Sequence, residues 1–258
     1  SDGGGSSSGV DSVDSSDSGG SSSVDSSDGG GRAREIVERM DQLLRGESNY
    51  SRSKMTISTP KWKRSIKMDS WAKGDDYSFI HILSPAREKD TTFLKKGSLL
   101  YQYIPSAEMR IKISPSMMMQ SWMGSDFTND DLVKESELLD DYFHELLGEE
   151  EMYGKDCYEL ELRPRPEAAI VWEKIVVWVD KETYLPVLEE FYDERGNKIR
   201  KMEFSEVRNT GSRLYPHKIV LTPLNKVGHK TILETLRVKF DVPIPMRVFS
   251  LKNLESPR

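Results

Sequence analysis

From Arg32 the chain places Ile36, Val37, Met40, Leu43 and Leu44 at helical spacing with charges between them, and Gly46 follows as a stop. One amphipathic helix is predicted to open the domain. Almost everything after it alternates with a period of two. Met55 and Ile57, Ile66 and Met68, and Tyr77, Phe79, His81 and Leu83 each read as the buried face of a strand. Leu99, Tyr101 and Tyr103 continue the pattern, as do Met109, Ile111 and Ile113, and later Tyr158, Leu160 and Leu162. The segments "AIVWEKIVVWVD", "LPVLEEFYDE", "KIRKMEFSEV", "LYPHKIVLTP" and "KTILETLRVKFDV" add five more strands. In the first of these, Trp172 and Trp178 share a strand parity opposite to Val171, Ile175, Val177 and Val179, so both faces are apolar and both must be covered. Short turns at "KGDD", "KKGS", "DERGNK" and "NKVGHK" join the strands.

About eleven strands with such turns make a mainly β (α+β) protein built on a meandering antiparallel sheet. Twist accumulates along a sheet of that width, so it is expected to curl into an incomplete β-barrel with a concave apolar face. The first helix and a short helical lid are the candidates to close it.

The lid is the one stretch that breaks the alternation, "SPSMMMQSWMGSDFTNDD", Ser114 to Asp131. Ser114 can cap a helix with Pro115 in its first position, and Gly124 is a natural stop. On that helix Met118, Met119, Trp122 and Met123 form one broad apolar face, and a second short helix starts at Thr128 with Asn129, Asp130 and Asp131 in its first turn. Four such side chains left in water would forfeit on the order of 6 to 12 kcal/mol, so the segment lies on something apolar. It is either an ordinary plug or an adaptable lid over a ligand. Methionine packs less specifically than Leu, Ile or Val, which tilts the composition toward the lid.

Composition changes the picture at the N-terminus. Residues 1–31 are nearly all Ser, Gly and Asp, with no apolar surface to offset the entropy of ordering them, and read as a flexible tether ahead of a domain at 32–258. Such a tether is expected behind a cleaved export signal or a lipidated cysteine, and an added spacer looks the same. Its six aspartates account for the whole formal net charge of -6. The remainder is balanced, which argues against a nucleic-acid partner found by long-range attraction. The local basic run "KWKRSIK", Lys61 to Lys67, reads as the solvated side of a strand. No run is long and apolar enough for a membrane helix, and mean hydropathy is -0.60. Cys157 is the single cysteine, and His81, His144, His217 and His229 are too far apart in sequence for a metal motif. Acid clusters such as "DDYFHELLGEEE" are too common here to mark a hydrolase, and no nucleophile elbow or phosphate loop is present. No catalytic residue, metal or cofactor is therefore expected.

The stretch "LSPAREKDTTFLKKGSLLYQYIPSAEMRIKISPSMMMQSWMGSDFTNDDL", Leu83 to Leu132, resembles the outer-membrane lipoprotein-sorting proteins of the LolA-like superfamily, most specifically over "SWMGSDFTNDDL". The resemblance extends more loosely from Ile36 to the C-terminus. It implies a half-barrel closed by helices, acyl lipid or lipoprotein as cargo, membrane transport components as partners, and the periplasm or cell envelope of a bacterium as location, with an anchor through the tether in view. On that reading the ligand-binding set is Met117, Met118, Met119, Trp122, Met123 and Phe127 on the lid, with Trp71, Phe79, Tyr101 and Tyr103 lining the cavity. The expected protein is a monomeric, non-enzymatic carrier. The other reading is a signalling or adaptor domain of the same fold that binds a protein segment.

Overall fold

The computed structural model describes residues 26–134, 138–168 and 170–258. The tether expectation for residues 1–25 lies outside them. Residues 26–31, expected in the tether, instead form the start of helix α1, Ser26–Arg45. Its stripe of Ala33, Ile36, Val37 and Met40 is buried and carries the helix. The helix ends at Gly46 in a left-handed conformation (φ 61°), with its N–H on the Gln42 carbonyl. A Cβ there would meet Asp241 Oδ1 at 2.7 Å, so the turn is built for glycine. Arg213 donates to the Gln42 carbonyl at 2.8 Å and to Asp241 Oδ2 at 2.8 Å, placing a cation at the negative end of the helix.

Thirteen strands follow among the described residues: β1 (Ser48–Ser58), β2 (Lys63–Lys73), β3 (Tyr77–Ser84), β4 (Thr92–Lys96), β5 (Leu99–Ile104) and β6 (Met109–Lys112), then the short helix α2 (Asn129–Lys134), then β7 (Tyr142–Met152), β8 (Lys155–Pro164), β9 (Lys174–Asp180), β10 (Pro186–Tyr192), β11 (Lys198–Asn209), β12 (Leu214–Pro223) and β13 (Lys230–Phe240). Helix α3 (Leu251–Glu255) ends the chain's regular structure. All pairings are antiparallel, in the order β6-β5-β4-β3-β2-β1-β13-β12-β11-β10-β9-β8-β7. The sheet is not closed, since β6 and β7 are its two edges. The count exceeds the expected eleven by β4 and β7. The first is five residues long with four in a row buried, so it has no alternation to read. The second is an acid-rich edge strand with a bulge between Leu146 and Gly148.

Directly paired residues share a face, so the register divides the sheet cleanly. Met55, Ile66, Met68, Ile82 and Phe93 build the first half of the concave core, and Leu160, Leu162, Ile175, Val177 and Met202 build the second with α1 on top. The convex face of β3–β5 is covered by the C-terminal segment, where Ile244, Phe249 and Leu254 pack on Phe79 and Leu94. Farther along the same face Trp178 sits with Cys157, Val176 and Leu188, its Nε1 donating to Glu150 at 2.9 Å. Trp172 and Trp178 therefore do not share a face as the parity predicted. Strand β9 begins only at Lys174, and the chain turns at Val171–Glu173, which sends Trp172 to the concave side against Phe191.

Candidate functional site

Because β6 and β7 lie at opposite edges while being consecutive in the chain, the segment between them has to cross the open side of the concave sheet. That segment holds the methionine-rich stretch. It is not the predicted helix over 114–124. Two 3-10 turns, Pro115–Met117 and Trp122–Gly124, flank a loop stitched across itself, with Trp122 N–H on the Phe127 carbonyl at 2.8 Å and Asp130 N–H on the Met118 carbonyl at 2.8 Å. The Ser114 hydroxyl bonds Ser116 instead of capping, and Met123 (φ 53°) and Gly124 (φ 72°) are left-handed, which ends any helix there. The second helix forms as expected. Thr128 Oγ1 accepts from Asp131 N–H at 3.2 Å while Asp131 Oδ2 accepts from Thr128 N–H at 2.8 Å, a reciprocal cap at the start of α2.

Three ties fix this insert to the sheet. Arg64 of β2 donates to the Met123 carbonyl and pairs with Glu88 at 2.5 Å. Thr231 of β13 accepts from Asp126 N–H at 3.0 Å and donates to its carboxylate at 2.7 Å. Arg200 of β11 makes a bidentate pair with Asp131 at 2.7 and 2.8 Å. The Arg200 side chain is 7% exposed and its guanidinium lies over the rings of Phe191 and Trp172, 4.3 and 4.6 Å from their centroids. A charge held among aromatic rings out of water needs its partner, so the pair defines where α2 sits.

Between insert, α1 and sheet lies a cavity of about 350 Å³. Its apolar half is made by Met55, Met68, Ile80 and Leu233 from one side and Met202 and Phe204 from the other, under Trp122 and Phe127. Toward the C-terminal end of α1 the wall changes character. Ser51, Ser53, Ser70, Ala72, Ser78 and Thr235 occupy the same inward parity as the methionines, and their shortness is what leaves the volume empty. The Ser51, Ser70 and Ser78 hydroxyls make no hydrogen bond to another described residue. At the rim Arg45 joins Asp41 (2.8 Å) and Asp75 (2.5 Å), and Lys95 donates to the Asp75 carbonyl at 2.5 Å. Burial holds the Asp41 carboxyl above the usual carboxylate range against the pull of Arg45 beside it. The space is thus amphipathic along the strand direction, greasy below the insert and hydroxylated at the far end.

Of the expected ligand-binding set, Trp122, Phe127 and Trp71 border this cavity. Trp122 is 4% exposed and meets Phe93 edge-on at 5.4 Å. Met117, Met118 and Met123 pack on the first-half core behind it, while Met119 faces solvent. Phe79, Tyr101 and Tyr103 do not reach the cavity. Phe79 pairs with Trp71 and Leu94, and Leu94 with Tyr101, so all point to the convex side beneath the C-terminal segment, as does Tyr103. Trp71 has its ring in that convex row too, 6.0 Å from Phe79, and touches the cavity only at its rim. In β3 and β5 alternation separates two faces without saying which is concave, because both are apolar. Sequence reading also passed over Arg200 and the serine wall. Arg200 shares parity with Met202 and Phe204, a cation directly flanking the apolar residues of one face, and that is a readable signal.

An open antiparallel half-barrel with an N-terminal helix across its concave side and an insert bridging its edges is the LolA-like fold. The chain belongs to the family described as "Uncharacterized protein", whose model matches residues 74–256. No curated protein matches the chain. Among solved structures it is similar to a DUF1329 family protein from Desulfovibrio piger, with a TM-score of 0.81 and 24% identity, covering 88% of this chain and 99% of that one. A domain from Vibrio parahaemolyticus named for outer membrane lipoprotein sorting gives 0.78 and 22%, covering 88% and 99%. A LolA superfamily protein from Nitrosomonas europaea gives 0.73 and 23%, covering 85% and 98%.

Proposed function

We propose that this protein is a non-enzymatic carrier of acyl amphiphiles in a bacterial cell envelope, holding acyl chains against the methionine and aromatic half of the cavity and the polar head against the serine wall. The observation that carries the reading is the polarity gradient within one cavity beneath an insert tied to the sheet at three points. About 0.8 kcal/mol per buried methylene supplies affinity without any bond being made or broken, and the cavity is of the size that ligand sites take. The similarity to lipoprotein-sorting domains supports lipoprotein or phospholipid as cargo and envelope transport components as partners, with the Ser/Gly/Asp-rich residues 1–25 giving reach from an attachment point.

Protein purified from cells and extracted with organic solvent should yield mixed acyl lipids at a sizeable fraction of one per chain, and added lipid should raise the melting temperature by mass action. An extract without lipid, together with a melting curve that neither phospholipid nor lipopeptide moves, would transfer the assignment to an adaptor domain that binds a protein segment.

A further inference from the structure

Apart from Arg64, which holds the insert and pairs with Glu88, the basic run around Trp62 makes no ion pair with another described residue. It forms the turn between β1 and β2, and the structure sets it beside the turn between β12 and β13. A Cβ added to Gly228 would lie 2.8 Å from Pro60 Cγ, and Ser58 pairs with both Lys63 and Lys230. The two turns thus form one tip. At it Val227 is 93% exposed, Trp62 47% and Leu224 43%. Residues 59–64 and 224–230 carry Lys61, Lys63, Arg64, Lys226 and Lys230 and no acid, in a chain with 43 acids against 37 bases. None of the four lysines makes an ion pair with another described residue.

We infer that this tip docks the protein on an anionic lipid bilayer, with Trp62, Val227 and Leu224 entering the interface and the lysines lying over the headgroups. An indole takes the boundary between water and acyl chains because its ring is apolar and its N–H polar. Lysine stems cover apolar surface while their ammonium groups stay hydrated against lipid phosphates. Val227, Trp62 and Leu224 clustered at one tip beside four lysines that pair with no described acid have the composition of a membrane-interface anchor. The tip is also joined to the insert, through Arg64 to the Met123 carbonyl and through β13 at Thr231 to Asp126, so docking would bring the insert to the membrane. The inference does not depend on what the cavity carries.

The test is flotation of the full chain with vesicles of phosphatidylcholine containing about one-third phosphatidylglycerol, and with phosphatidylcholine alone. Binding is expected to the anionic vesicles, to weaken steeply with salt, and to be slight on neutral ones. Lys61→Gln with Lys226→Gln should lower partitioning about 30-fold, from two lysines lost at the surface. Trp62→Ser with Val227→Ser should lower it about tenfold or more at unchanged net charge. All four side chains are exposed, and unchanged circular dichroism verifies that each variant is folded. No binding to anionic vesicles, equal binding to both compositions, or an apolar variant that binds like the parent would overturn the inference. A loss in the lysine variant alone would show surface adsorption without entry of Trp62 and Val227 and would likewise overturn it.

Discussion

Arg200 and Asp131 are 69 residues apart in sequence and meet in a two-pronged ion pair at 2.7 and 2.8 Å, the arginine on the floor of the half-barrel and the aspartate on the helix that crosses it. Arg200 Nε finds no partner among the described residues, so its charge depends on this carboxylate.

Asp131→Ala should therefore destabilise the fold by about 3 kcal/mol, because it strands a buried guanidinium. Arg200→Met combined with Asp131→Leu should recover most of that loss. Denaturant unfolding of the single and double variants checks both, and a single variant within a few tenths of the parent would show the pair to be solvated.

Ser51→Val with Ser70→Val puts methyl groups where the cavity is now open and suits strand positions. Thermal stability should hold or rise slightly, while affinity for a fluorescent phospholipid analogue should fall about tenfold or more as the volume fills. A drop in stability with binding unaltered would mean that the serines serve packing and not a ligand.

Much of the architecture could be read from period-two segments, since a hydrophobic residue on alternate positions is dictated by the pleat itself. The insert was recognisable because it broke that rhythm. Its backbone was not: Pro115 and Gly124 mark the ends of a helix, yet the loop's amides are satisfied across the loop, between Trp122 and Phe127 and between Met118 and Asp130, by partners that spacing does not reveal. Assigning Phe79, Tyr101 and Tyr103 to the cavity failed for a related reason. The C-terminal segment 242–254 makes the convex face as dry as the concave one, and that cover comes from residues far along the chain. Arg200 is the instructive omission, for its neighbours Met202 and Phe204 already placed it indoors.

Asp69 supplies a pH dependence. Burial by itself would raise its carboxyl, but hydrogen bonds from Arg52 (2.8 and 2.9 Å) and Tyr50 (2.9 Å) outweigh it and hold the group below the usual carboxylate range. A depressed folded-state value stabilises the protein above the unfolded carboxylate value of about 4, and that contribution disappears as pH falls through the folded value. Asp69→Asn should thus cost about 1 kcal/mol at neutral pH, reduced from a buried pair because Arg52 is half-exposed, and the difference from the parent should vanish in acid. Urea titrations at several pH values check the convergence.

Cys157 is fully buried, and burial followed by the charge of Asp180 pushes its thiol up to about 11. It should not react with Ellman's reagent near pH 8 in the folded protein and should titrate as one thiol per chain in denaturant. Fast reaction without denaturant would show that the convex sheet around Trp178 opens.

The pairing of β1 with β13 in the middle of the sheet has a consequence for how the chain finds its fold. As connected, the two halves are meanders whose neighbours are local, but they join only when segments near opposite ends of the domain meet. Closing so large a loop is the entropically costly step, and topologies of high contact order fold slowly. A circular permutant opened between β6 and β7, with its old ends linked, would list its strands in the order in which they pair, from β7 through β13 and β1 to β6. Every ladder would then form between sequence neighbours, and refolding should be faster than in the parent. The same cut opens the connection between the two edges of the half-barrel, so the natural connectivity trades folding speed for a bridge that spans the mouth.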